Sequence, residues 1–307
     1  MADRPNIDLI VPLFGEITPF YQAADQMGFH SLWFTETLFS HGTAMGWVGQ
    51  RRRQDHSSVF AAAAAATSRI RLGTAQISSP APPIVSFAAK MADLDNLSGG
   101  RLSLGISQHQ WPDEGVGERN PPRIGARLKE TITVLKRLWS EAEVSFKGHH
   151  ITVEGASIDV RPVRDGVIPI LVAGVTSASV NLAGTLAEGW VHPSGGVAEG
   201  AARGCDYVRQ VASKVGRDPD SLELGKIIYL AIDNDRVRAR RRVAPLLQSY
   251  YHGYNVDDWC AFGPPTECAA FIRRFFDAGI TTVMLCLVPT DVEHLELLHR
   301  EVVPLLK

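Results

Sequence analysis

Five short polar segments stand where apolar runs of strand length stop, and together they hold most of the side chains able to do chemistry. Glu36-Thr37 closes the first, with His41 four residues beyond. Gln76-Ile77-Ser78-Ser79-Pro80 closes the second, and Ser107-Gln108-His109-Gln110-Trp111 the third. Gly174-Val175-Thr176-Ser177 and His192-Pro193-Ser194-Gly195-Gly196 close the fourth and fifth. His109, just past a buried run, is placed to contact a ligand and to donate a proton near neutral pH. Glu36 is an acid at a strand end, and a buried acid needs a partner. A Gly after a strand followed by Thr and Ser opening a helix sets backbone N–H groups and hydroxyls at a positive helix end, which suits a phosphate. The same residues also describe an ordinary helix start with Thr176 as its cap.

Other candidates read differently. Cys205, Cys260, Cys268 and Cys286 are scattered without a CxxC pair, which argues against zinc and against a disulfide framework. His294 and His299 lie five apart on the last helix, so they share no face as metal ligands would, and both read as surface residues. No metal is expected. Arg236-Val-Arg-Ala-Arg-Arg-Arg242 packs five arginines into seven residues, as a solvated helix face or a grip on an anionic tail. Arg51-Arg52-Arg53 is open to the same two readings. Trp47, Trp111, Tyr250, Tyr251, Tyr254 and Trp259 fall in loops, as for an apolar substrate pocket or a subunit interface.

These segments need a frame, and the apolar runs supply one. Strands read at 7–13, 31–37, 70–77, 102–106, 168–173, 189–192, 222–232 and 282–288, several of them continuous in Ile, Leu and Val. Helices read between them, among them one after Thr18-Pro19 and one carrying the six alanines Ala61 to Ala66. Eight strands each followed by a helix predict a closed (β/α)8 TIM barrel, in which function gathers at the C-terminal ends of the strands. A doubly wound sheet would show GxGxxG or a P-loop after its first strand, and PLFGEITP is neither. One domain over residues 1–307 is expected, with a short strand excursion at 149–164 and an insertion or lid at 233–264.

A net charge of −2 excludes an electrostatic appetite for nucleic acid or an anionic membrane surface. No apolar run approaches membrane-spanning length, and the N-terminus lacks a signal-peptide pattern, so a cytoplasmic protein is expected.

On this frame the motifs GFHSLWFTE (28–36), TSRIRLGTA (67–75), KMADLDNLSGGRLSLGI (90–106), LKETITVLKRLW (128–139), FKGHHITV (146–153), IPILVAG (168–174) and AEGWV (187–191) matter together. Through them the sequence resembles the bacterial luciferase-like flavin and deazaflavin oxidoreductases over nearly its whole length. The C-terminal third resembles them less, retaining FGPPTECAAFIRRFFDAGITTVML (262–285). The resemblance implies a (β/α)8 barrel, binding of FMN or of the deazaflavin coenzyme F420, and hydride transfer or oxygen activation.

Carried over by position, Ser78 and Ser79 fall where the family bulges its third strand beneath the ring. Ser107 and His109 fall where the fourth strand lines the ring and its polar edge. Gly174, Val175, Thr176 and Ser177 fall on the phosphate turn, and Glu36 matches the acid closing strand two. His41, Gln110 and Trp111 are assigned to the substrate pocket. Two departures stand out. Thr37 occupies the place of a histidine found in many relatives, and Gln110 stands near a general-acid Glu of sugar-oxidising ones.

The expectation is hydride transfer between coenzyme F420 and a small organic substrate, in a homodimer paired through barrel helices. It rests on the short chain, on VNLAGTLAEGWV (180–191), on the arginine runs and on Thr37. The alternatives are an FMN-dependent monooxygenase fed by a separate flavin reductase, and a non-catalytic barrel subunit.

Overall fold

Strands as apolar as these are stable only when both faces are covered, and a ring of strands wrapped in helices covers them. The computed structural model describes residues 6–11, 18–35, 56–78, 83–107, 124–164, 166–250 and 253–306. The first half runs β1 (Asn6–Val11), α1 (Thr18–Met27), β2 (Ser31–Thr35), α2 (His56–Ala66), β3 (Arg71–Ser78), α3 (Ile84–Leu97), β4 (Leu102–Ser107) and α4 (Ile124–Ser140). A hairpin follows, β5 (Val144–Lys147) and β6 (Thr152–Ala156), then β7 (Ile170–Ala173), α5 (Ser177–Thr185), β8 (Gly189–His192) and α6 (Ala198–Lys214). The last part is β9 (Glu223–Ile232), α7 (Arg236–Tyr250), α8 (Val256–Trp259), β10 (Ala261–Gly263), α9 (Pro265–Asp277), β11 (Thr282–Leu287) and α10 (Val292–Leu297).

The order β11-β1-β2-β3-β4-β7-β8-β9 returns to β11 through parallel pairings, which closes an eight-stranded barrel. The expected barrel is the fold. Strand alternation then divides the core in two. Leu9, Leu32, Leu72, Leu104, Val172 and Leu285 pack against the helices, while Ile10, Trp33, Leu171, Val191, Tyr229 and Met284 form a separate cluster. The Trp33 ring lies so close to Gly73 that a Cβ there would sit 2.3 Å from it, so only glycine admits the ring.

LDNLSGGRL, the most distinctive motif in the sequence, fastens the frame and does no chemistry. Buried Asp95 accepts from Leu102 N at 3.2 Å and Val163 N at 2.8 Å. Arg101 donates to the carbonyls of Ala64 and Ile70, both at 2.9 Å, and to Thr67 Oγ1 at 2.8 Å. Helices α2 and α3 are thereby tied to the starts of β3 and β4.

Three expectations are adjusted. The excursion is the β5–β6 hairpin, which begins at Val144 and ends at Ala156, ahead of the 149–164 expected. The segment 233–264 contains a fifteen-residue helix, α7, besides α8 and β10. His294 is buried, and its Nε2 accepts from Ile232 N at 3.1 Å. The spacing argument told only which face His294 does not share with His299, and α10 turns the His294 face onto the end of β9. Burial lowers its pKa, which keeps that nitrogen free to accept.

Candidate active site

At the end of β7, Gly174 has φ +137°, and a Cβ there would lie 2.7 Å from Ser179 Oγ, so the turn requires glycine twice over. Thr176 is the N-cap of α5, its hydroxyl accepting from Ser179 N at 3.1 Å. The turn is pinned from β8: Gly174 N donates to Val191 O at 3.1 Å, and Trp190 Nε1 donates to Gly174 O at 2.8 Å. The amides of Val175, Ser177 and Ala178 find no acceptor among the described residues. Those amides at the positive end of a helix, on a turn that excludes any side chain at 174, fit a phosphate.

The neighbouring strand ends stand level with this turn. Ser107, buried at the end of β4, pairs in register with Ala173 on one side and with Ser78 on the other. Strand β3 carries one extra residue between Thr74 and Ile77, a bulge that lies just ahead of Ser78. So Ser78, Ser107 and Gly174 to Ser177 are brought together. Glu36, His41, Ser79, His109, Gln110 and Trp111 lie outside the described residues, as do Thr37 and Arg51 to Arg53.

Next to the turn is a group that reading the sequence missed. Strands β8 and β9 pair up to His192 and Lys226, where Pro193, lacking an N–H, ends the ladder. Lys226 fills the break. Its Nζ donates to Pro193 O at 2.6 Å, Ser194 O at 3.0 Å and Ile227 O at 2.9 Å. It is completely buried, lies 5.1 Å from the centre of the Phe275 ring, and pairs with no carboxylate among the described residues. Burial pulls its pKa down to about 7. The available signal was a single Lys inside the apolar run LELGKIIYLAI (222–232). His192, held neutral by burial and by Lys226 down to about pH 4, donates from Nδ1 to Pro193 O at 2.9 Å and faces the Trp190 ring.

The insertion packs onto the same end. The rings of Tyr229, Tyr254 and Trp259 meet edge to face at 6.4 and 4.9 Å, and Trp259 lies beside Gly195. Four of the arginines already face acids. Arg236 bonds Glu267 at 2.5 Å, Arg238 bonds Asp233 at 2.5 Å, Arg240 bonds both oxygens of Asp257 at 2.7 Å, and Arg242 lies 3.4 Å from Asp233. The solvated-face reading of that run therefore gains over the anionic-tail reading.

A second polar cluster fills the opposite end of the barrel. Asp8, fully buried, accepts from His30 Nδ1 at 2.8 Å and from Trp33 Nε1 at 2.6 Å. Arg71 reaches Ser103 Oγ at 2.9 Å and lies 3.6 Å from Glu223. Asp8, His30 and Glu223 offer ligand atoms within 4.8 Å of one another, but the guanidinium of Arg71 already supplies the countercharge a cation would bring.

An eight-stranded barrel with a phosphate-shaped turn at a strand end is the architecture of a cofactor-dependent barrel enzyme. The profile of the luciferase-like monooxygenase family matches residues 12–259, and the chain belongs to that family. Among curated relatives, an F420-dependent glucose-6-phosphate dehydrogenase of Kineococcus radiotolerans is 26% identical over 331 residues, covering 95% of this chain and 93% of that one. Among solved structures, an F420-dependent secondary alcohol dehydrogenase superposes with a TM-score of 0.84 at 20% identity, over 99% of both chains. A monooxygenase from Streptomyces bottropensis superposes with a TM-score of 0.81 at 23% identity, over 97% of this chain and 99% of that one.

Proposed function

We propose that this protein is an oxidoreductase that transfers a hydride between coenzyme F420 and a small organic substrate. One observation carries the reading: the turn Gly174 to Ser177, pinned by β8 and offering the amides of Val175 and Ser177, stands on a luciferase-like barrel whose curated sequence relatives include F420-dependent enzymes. When bound, the deazaflavin supplies a carbon that gives or takes hydride. The amides of Val175, Ser177 and Ala178 and the Ser177 hydroxyl hold its phosphate, and Ser78 and Ser107 line the adjoining strand ends. Glu36 and His109 are assigned to the polar edge of the ring and the substrate, His109 as the proton donor. His41, Gln110 and Trp111 belong to the substrate pocket in this reading, and Gln110 argues against a sugar phosphate as substrate.

FMN-dependent oxygenation, served by a separate reductase, is the second reading, favoured by the structural likeness to a monooxygenase. No described helix is long and apolar enough to cross a membrane, and we place the protein in the cytoplasm as a homodimer, checked by light scattering.

Titration with each cofactor, followed by fluorescence, tests the choice. Tight binding of F420 with weak binding of FMN is expected. Submicromolar affinity for FMN with none for F420 reverses it. With F420 bound, His109→Ala should keep its affinity and lose turnover by about 10²–10⁴-fold, the usual worth of a general acid.

A further inference from the structure

We propose that Lys226 is a positioning residue for the cofactor: its ammonium ion holds residues 193–196 in place beside the Gly174–Ser177 turn. The inference deepens the reading above and takes from it only that this end of the barrel binds the cofactor.

The geometry runs in one line. Pro193 and Ser194 hang by their carbonyls from Lys226 Nζ, at 2.6 and 3.0 Å. Immediately before them, Val191 O and the Trp190 indole hold Gly174 from both sides of its peptide. Immediately after them, Gly195 meets Trp259 of the insertion. The lysine therefore sits at the root of a loop that continues the strand pinning the phosphate turn and that meets the aromatic face at Trp259. The ladder ends at His192, and among the described residues the loop shows no other fastening to β9.

Among the described residues nothing around Lys226 offers a negative charge. From β8 it faces neutral His192; from β11, the Cys286 thiol, whose pKa burial pushes up. From the insertion it faces the Cys260 thiol, pushed up to about 12, and from α9 the Phe275 ring. Buried charge is ordinarily paired. Among the described residues three carbonyls are the only compensation, and burial brings the ion's pKa down to about 7. Neutral Lys226 has one donor fewer and no charge to hold two loop carbonyls, so the loop loosens.

Two measurements test this. The first needs no cofactor: hydrogen exchange of the Ser194 to Val197 amides, corrected for intrinsic rate, at pH 6 and pH 8. Protection should fall with pH in the parent protein and be low and pH-independent in Lys226→Met. The second is F420 affinity over the same range, as the ratio of parent to variant, which cancels titration of the cofactor itself. Loss of one required proton with a pKa near 7 weakens parental binding about tenfold between pH 6 and 8 relative to the variant. Lys226→Gln keeps donors without charge and should show intermediate protection with a flat profile, so the test survives if the Met variant folds poorly. Equal pH profiles in parent and variants overturn the proposal, as does unchanged exchange at 194–197. Absence of F420 binding with the expected exchange result overturns the assigned function and leaves the latch standing.

Discussion

At the floor of the barrel buried Asp8 and half-buried Glu223, Arg71 and His30 bring opposite charges within reach of one another, whereas at the open end Lys226 is buried, among the described residues, on carbonyls alone. The two ends answer pH in opposite senses. Burial lowers the pKa of His30, but the hydrogen bond and charge of Asp8 outweigh it and hold the net value up. Burial and the charge of Asp8 raise Glu223 as well. The folded floor therefore binds protons more firmly than the unfolded chain, and it loses stability as pH rises. Lys226 binds its proton less firmly when folded, so its contribution improves with pH above about 7. A protein built only for stability would pair both ends. The unpaired end is the one that carries the candidate site, as expected where perturbed groups serve function.

Breaking the floor should cost the most. Asp8→Ala takes the carboxylate from buried Trp33 Nε1 and half-buried His30 Nδ1, and removing one partner of a buried charge pair costs up to about 3–5 kcal/mol. Urea unfolding measures this, and F420 affinity of the folded variant should stay within about twofold of the parent. Gly174→Ala makes the converse break. It should lower cofactor affinity about 10- to 100-fold, the worth of one hydrogen bond to a charged group. Its unfolding free energy should fall by only about 1–2 kcal/mol, the penalty of a left-handed backbone for a residue with a Cβ.

The floor's pH response is a smaller effect. Stability from His30 is fully present below about pH 6.5, its unfolded value, and is lost as pH rises through the higher folded value. Urea midpoints from pH 6 to 9 should therefore decline more steeply in the parent than in His30→Gln. Smallest of all is Arg240→Gln. Because Arg240 is exposed and engaged with Asp257, F420 affinity should change less than about twofold, with little salt dependence. A large salt-dependent loss would return this arginine to the cofactor.

Reading the sequence located all eight barrel strands because each is a predominantly apolar run, and burial on two faces leaves that mark whatever the neighbours. It located the Gly174 turn because a left-handed glycine followed by a cap is a local pattern. The floor was invisible for the opposite reason. Asp8, His30, Arg71 and Glu223 come from four separate stretches, and their partnership exists only once the barrel closes. Helix α7 was read as part of a lid because its arginines and Pro245 hide the buried positions Ala239, Val243 and Leu247. Lys226 was passed over because one charge inside a strand leaves no periodic trace.

Strand β9 forks. Its first residues pair with β8 and its last with β10, while its other edge pairs with β11 from Gly225 to Leu230. The barrel is thus complete without β10, and the segment between Asp233 and Gly263 begins and ends at one point, where Asp233 N bonds Gly263 O at 2.9 Å. A segment whose two ends meet on a finished scaffold is a graft: it can be lengthened, shortened or exchanged for that of another barrel without reopening the ring. This segment beside the candidate site is consequently the part of the molecule freest to change, while the wall beneath it stays as it is.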